Sequence, residues 1–156
     1  MQFNLSQKER MLLEDQKSHE QLCIDKYTNY ASQAKDPQLK QLFTNHASIE
    51  QQHLNSINQL LSGQIPQMGQ QQNSNQNQQQ TVNSNQSAGM CGANDAELCK
   101  DLLMTEKYVS GAYNTTIFEC RDTNVRDVLN HIQKEEQKHG EAIYKYMESK
   151  GMYNVQ

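Results

Sequence analysis

The sequence has no tryptophan, only two prolines, and no apolar run approaching the roughly 20 residues a membrane-crossing helix requires. A membrane partner is therefore set aside. Its opening residues, MQFNLSQKER, lack the apolar stretch of a secretory leader, so synthesis in the cytoplasm is the expectation. Positive charge is also scarce. The 14 Lys and Arg against 18 Asp and Glu leave a net charge of −4, with no cationic footprint for nucleic acid. The four cysteines, Cys23, Cys91, Cys99 and Cys120, never fall into a C-x-x-C spacing, which excludes a zinc ribbon or a rubredoxin-type iron centre. Cys23 and Cys120 sit within helical patterns and read as core thiols. Cys91 and Cys99 flank a loop–helix junction, where pairing or cross-linking stays open. Apolar content is low, at 35 %, because a glutamine- and asparagine-rich tract dilutes it. A chain of 156 residues still suffices for one domain with a real core, though not for two ordinary ones.

What remains is helical periodicity. From about Ser6 to Lys35, Leu13, Ile24, Tyr27, Ala31 and Ala34 recur with a helical period that includes Glu20, and Ser6 and Glu9 have the spacing of a capping box. Asp36-Pro37 breaks this segment and starts the next, with Asp as N-cap and Pro at the first helical position. The second segment carries Leu39, Leu42, Phe43, His46, Ile49, Glu50, His53, Ile57, Leu60 and Leu61 on one stripe, and Gly63 is a natural stop. Residues 64–94 are polar and of low complexity. They cannot bury enough apolar surface to offset their ordering entropy, so a mobile connector is expected there. A third segment starts near Asn94 or Asp95 and directs Leu98, Leu102, Glu106, Val109, Tyr113, Ile117 and Cys120 inward. A fourth follows Asp122-Thr123 with Val125, Val128, Leu129, Ile132, Glu136, His139, Ile143, Tyr146 and Met147, ending at Gly151. The expected organisation is one domain over 1–156: a first hairpin at 6–63, the connector at 64–94, and a second hairpin at 95–151.

Two of these segments carry the same motif. Glu50-Gln51-Gln52-His53 and Glu136-Gln137-Lys138-His139 each place a carboxylate and an imidazole three residues apart, hence on one helical face. Either pair alone reads more simply as a solvated face, and about a third of one such pair is expected by chance at this composition. The chain, however, repeats itself. Displaced by 86 positions, Glu20 falls on Glu106, Tyr27 on Tyr113, Glu50 on Glu136 and His53 on His139, together with Leu12 on Leu98 and Ile57 on Ile143. Each half thus offers one lone Glu and one Glu-x-x-His, the ligand set that four-helix di-iron and di-manganese proteins draw from facing helices. The heights agree too. Glu20 lies sixteen residues before Asp36, and the position sixteen after falls between Glu50 and His53; Glu106 stands in the same relation to Asp122, Glu136 and His139. If two such hairpins pack about a two-fold axis, the connector must run the length of the bundle. A helix of about 25 residues is about 38 Å long, which about 12 extended residues span. An up-down-down-up all-α bundle with one long crossover, the ferritin-like arrangement, is therefore allowed.

Four carboxylates in a bundle core would repel one another and lose hydration, so they would take up protons or bind cations. Two divalent ions would balance them. Oxygen-rich ligation with one imidazole per ion suits Fe or Mn, with Zn left open. Tyr27 and Tyr113, two turns from Glu20 and Glu106, are candidate hydrogen-bond partners behind the ligands, although core packing accounts for them equally well. His46, whose repeat position is Ile132, reads as a core or channel histidine. His19 and His131 read as exposed, and Glu9, Glu14, Glu135, Glu141 and Glu148 as solvated charges.

The stretch KERMLLEDQKSHEQLCIDKYTNYASQAKDPQLKQLF and the ending EEQKHGEAIYKYMESKGMYNVQ resemble the spore coat protein F (CotF) family of endospore-forming Firmicutes. This resemblance covers nearly the whole chain apart from the connector. It implies a ferritin-like bundle made in the cytoplasm of the sporulating mother cell, deposited in the spore coat and surrounded by other coat proteins, with a homo-oligomer left open. By the wider ferritin and rubrerythrin pattern, Glu50 and Glu136 would bridge two metals, Glu20 and Glu106 would be terminal carboxylates, and His53 and His139 terminal imidazoles. Val109 stands where rubrerythrins carry an additional glutamate, and the rubrerythrin C-x-x-C domain is missing. Two functions follow: a structural coat component, with the Gln/Asn tract and cysteines assisting assembly, or a di-iron or di-manganese oxidoreductase of peroxidase, catalase or ferroxidase type.

Overall fold

A computed structural model describes residues 3–67 and 93–154, the latter from backbone alone at 93 and 94. They form four helices, α1 (Gln7–Gln33), α2 (Pro37–Leu61), α3 (Ala93–Glu119) and α4 (Thr123–Ser149). Most of the expected connector, and Cys91 with it, lies outside the described residues.

The helix ends follow local chemistry. Ser6 Oγ accepts from Glu9 N at 3.1 Å while Glu9 Oε2 accepts from Ser6 N at 2.7 Å, closing the capping box expected for α1. Asp36 caps α2 through Gln38 N with Pro37 in the first turn, and Asp122 caps α4 through Asn124 N and Val125 N. Gly63 and Gly151 end α2 and α4 at φ of 81° and 69°, a left-handed conformation that residues with a Cβ adopt at a cost. α3 begins at Ala93, next to the expected start, and Asp95 in its first turn is buried and accepts from Lys35 N at 2.9 Å and Asp36 N at 3.0 Å. One carboxylate thereby satisfies two amides of the α1–α2 turn and fastens that turn to the second hairpin.

Contacts between hairpins establish the topology. Along α1 and α3, Glu9 meets Arg121, Gln16 meets Thr116, Tyr27 meets Glu106 and Tyr30 meets Asp101, so these helices are antiparallel. Along α2 and α4, Glu50 meets His139 and His53 meets Glu135, again with opposite sense. The bundle is thus up-down-down-up, as the repeat required. Leu13, Phe43, Ile57, Leu102, Leu129, Ile132 and Ile143 are at most 1 % exposed and fill the core between the layers. Burying one such side chain contributes about 1.5–3 kcal/mol. None of the helices among the described residues is long and apolar enough to cross a membrane.

Several surface expectations fail. Glu9 is buried at 4 % exposure because it serves both the capping box and the Arg121 guanidinium of the opposite hairpin. His19 is only partly exposed, lying edge-on to Tyr108 with centroids 5.5 Å apart. Cys23 and Cys120 are buried, in keeping with core thiols, and Cys99 is buried as well, away from the surface where cross-linking in a coat would need it.

Candidate metal centre

Halfway along the bundle, Glu20 from α1, Glu50 and His53 from α2, Glu106 from α3, and Glu136 and His139 from α4 turn inward, each at most 3 % exposed. They form two groups, Glu20, Glu50, His53 and Glu136, and Glu50, Glu106, Glu136 and His139. Within each, one candidate ligand atom per residue lies within 4.8 Å of all the others. Glu50 and Glu136 are common to both. Either group could hold a metal ion.

The local reason is the repeat combined with antiparallel packing. Because the hairpins are related by a pseudo-two-fold axis, each ligand of one hairpin meets the partner's counterpart. His53 Nδ1 stands 2.8 Å from Glu136 Oε1, and His139 Nδ1 stands 2.9 Å from Glu50 Oε1. The tyrosines cross over in the same manner. Tyr113 donates its hydroxyl to Glu20 Oε1, and Tyr27 donates to Glu106 Oε1. Both tyrosines are fully buried. Burial and the adjacent carboxylates push both hydroxyls well above the ordinary tyrosine range, so they remain donors.

The symmetry is broken at two positions. His53 Nε2 lies 2.6 Å from Glu135 Oε2, which fixes the ring with Nδ1 toward the cluster. Glu135 is therefore part of the site and not a solvated charge. Its repeat position is Ile49, so a search for matched residues passes over it. On the other side, His139 stacks on His46 with ring centroids 4.0 Å apart and an interplanar angle of 22°. Burial, followed by the neighbouring His139, holds His46 down at about 3, hence neutral. His131 is half exposed and lies 3.2 Å from Glu135.

Electrostatics describe a cluster under charge stress. Burial, with Glu20 and Glu106 nearby, drives Glu50 well above the usual carboxylate range against the pull of His53. Burial and the Glu106 and Glu50 carboxylates do the same to Glu136. Burial opposes ionisation of Glu106 as well, but Glu136, His139 and Tyr27 outweigh it and hold that carboxyl at about 2. Burial would discharge His53, yet Glu135, Glu136, Glu20 and Glu50 raise it well above its ordinary value. Even so, Glu20 Oε2, Glu106 Oε2 and both Glu136 oxygens are buried without a hydrogen-bond partner. His53 is close to Glu136 but misaligned for a hydrogen bond. Buried orphan oxygens of this kind are costly, and cations lying between them would satisfy all of them at once. The donor set therefore fits divalent ions.

Comparisons with known proteins bear on the family and the fold. Residues 94–156 match the Coat F domain. This is the family that the ending of the sequence resembles, and the matched Coat F stretch comprises α3 and α4. It holds Glu106, Glu136 and His139, while Glu20, Glu50 and His53 come from the hairpin before it, so the Coat F stretch contains half of the candidate ligands. Over 95 % of its length the chain superposes, with a TM-score of 0.69 and 13 % identity, on a solved Anabaena variabilis protein with DJ-1/ThiJ/PfpI-like and ferritin-like domains. The fold is therefore ferritin-like. The chain spans 38 % of that two-domain protein. No curated protein matches.

Proposed function

We propose that the chain is a spore coat component whose ferritin-like bundle binds two Fe or Mn ions through Glu20, Glu50, His53, Glu106, Glu136 and His139. Its partners are then other coat proteins, and its place of synthesis the sporulating mother cell. The observation that carries the metal reading is the convergence of these six side chains into two groups sharing Glu50 and Glu136, with buried oxygens left unsatisfied between them. The Coat F match supports the location. In this role the ions neutralise the carboxylates and lock the hairpins together, since each ion would take ligands from both. Elemental analysis of the purified full chain tests the site, with two Fe or Mn ions per chain expected and a metal-free chain contradicting it. Immunodetection in detergent-extracted coat fractions of spores tests the location, and its confinement to the spore core would overturn that part.

One observation favours a second reading, in which the same centre is a di-metal oxidoreductase that removes oxidants. Glu106 and Glu136 are among the residues that line a groove between α3 and α4, although their side chains are buried. Bound Fe or Mn would supply redox change and Lewis acidity there. Around it, Tyr27 and Tyr113 hold Glu106 and Glu20 in place, and Glu135 orients His53. Hydrogen-peroxide decomposition by the Fe- and Mn-loaded protein, and its loss in Glu136→Ala, distinguishes this reading from a purely structural one.

A further inference from the structure

Exposed apolar side chains are not spread evenly over the bundle. Among the described residues six large hydrophobics are exposed, and five of them, Met11, Leu22, Met104, Tyr108 and Phe118, lie on α1 and α3. The sixth, Tyr153, follows α4, and α2 has none. On α3 the arrangement is regular. Met104, Gly111 and Phe118 stand seven residues apart and are all exposed, so they share one outward stripe, with Tyr108 and Thr115 beside it. The repeat does not ask for this stripe. Displacement by 86 positions sets Ser18, Asp25 and Ser32 where α3 has Met104, Gly111 and Phe118. Phe118 is 82 % exposed and Tyr108 68 %, and apolar surface gathered in this way marks a contact face.

The symmetry of the stripe says what covers it. Gly111 is its midpoint, so a two-fold axis through Gly111 lays α3 antiparallel on α3 of a second copy, with Met104 of each against Phe118 of the other. Glycine inside a helix is destabilising relative to alanine, and the chain's own packing does not need this one, since a Cβ there would meet nothing within 4 Å. On the axis it lets two helices approach closely. α1 obeys the same axis. Along its seam with α3, Lys8 meets Glu119, His19 meets Tyr108 and Lys26 meets Asp101, which sets Gly111 level with Gln16 to within a turn. Met11 and Leu22 are centred at that level, so the axis brings Met11 of one copy toward Leu22 of the other, and Asp15 toward Ser18 between them. Charges agree as well. Lys100, one turn before Met104, comes toward Glu119 and Asp122 of the second copy, and Lys107 toward Asn114 and Thr115, so like charges do not oppose along α3.

The size is sufficient. A face of two 27-residue helices measures about 40 Å by about 20 Å, hence about 800 Å² on each copy, as in a standard stable interface. We propose that the outer face of α1 and α3 is the interface of a homodimer, closed about a two-fold axis at Gly111 with Met104 packed on Phe118 of the second copy. This goes beyond the coat and metal readings and depends on neither, because the face lies on the outside of the bundle.

Sedimentation equilibrium of the purified full chain is expected to show a dimer with a micromolar or tighter Kd. Met104→Lys and Phe118→Asp should each raise that Kd at least about tenfold. The double variant should bind at least about threefold more tightly than either single one, because the new charges then face each other across the axis. Gly111→Leu should weaken the dimer at least about tenfold by wedging the helices apart. Ser48→Lys, on the exposed side of α2, should leave it unchanged. Should Phe118→Asp not fold, Met104→Lys and Gly111→Leu carry the test. A chain that is monomeric at about 100 μM overturns the proposal. So does a dimer indifferent to Met104→Lys and Gly111→Leu, one weakened as much by Ser48→Lys, or a double variant that recovers nothing.

Discussion

Glu136→Gln separates the two consequences of crowding carboxylates into this core. Glu50 and Glu136 belong to both four-residue groups, whereas Glu20 and Glu106 belong to one each. Loss of Glu136 should therefore abolish binding of both ions, while Glu20→Gln should abolish binding of one. Stability without metal moves in the opposite direction. Burial and neighbouring carboxylates push Glu136 well above its usual range, and glutamine keeps the shape without the charge. Replacing buried ionic groups ranges from neutral to about 1–4 kcal/mol stabilising; the lower half applies here because Glu136 escapes part of the strain by holding a proton. At about 1–2 kcal/mol, the metal-free variant should melt about 2–8 °C above wild type for a chain of this size. With metal at about a hundred times Kd, each filled site adds about 2.7 kcal/mol to the wild type, raising its Tm by about 10–20 °C when both are filled. The variant gains none of this. Scanning calorimetry of both proteins in chelator and in excess Mn should thus give melting temperatures that exchange order. A wild-type Tm indifferent to Mn and Fe, or a variant that melts below wild type in chelator, would refute the reasoning.

Three further outcomes follow from single contacts. Glu135→Ala removes the acceptor that orients His53 Nε2, and affinity at the ion held by His53 should fall about 10–100-fold with the other little changed, as read by chelator competition; an equal fall at both would contradict the assignment. Glu9 is held at about 2, burial opposing but Arg121 and Ser6 prevailing. Its folded value lies below its unfolded one, so its stabilisation is complete above about pH 4.5 and is lost as pH falls toward about 2. Because Arg121 is largely exposed, the contribution is discounted to about 2 kcal/mol, and the difference in urea midpoint between wild type and Glu9→Gln should shrink over that window. Asp95→Ala leaves Lys35 N and Asp36 N without their acceptor and should cost about 2 kcal/mol in chemical denaturation, while a change within experimental error would mean that water replaces the carboxylate.

The residues that could be read from sequence are those that obey the repeat. Glu20, Glu50, His53, Glu106, Glu136 and His139 converge because a two-fold axis brings equal heights together, and a displacement of 86 positions displays that axis directly. The tyrosine crossover of Tyr27 to Glu106 and Tyr113 to Glu20 obeys the same rule, although spacing along one helix could not say that each hydroxyl would reach the other hairpin. What could not be read breaks the symmetry or crosses between hairpins. Glu9 and Asp95 look like surface charges because their partners, Arg121 and the Lys35–Asp36 amides, lie 112 and about 60 residues away, a separation no local pattern encodes. Glu135 stands at the repeat position of Ile49, so comparing the halves for identity discards it, whereas comparing them for difference would have retained it.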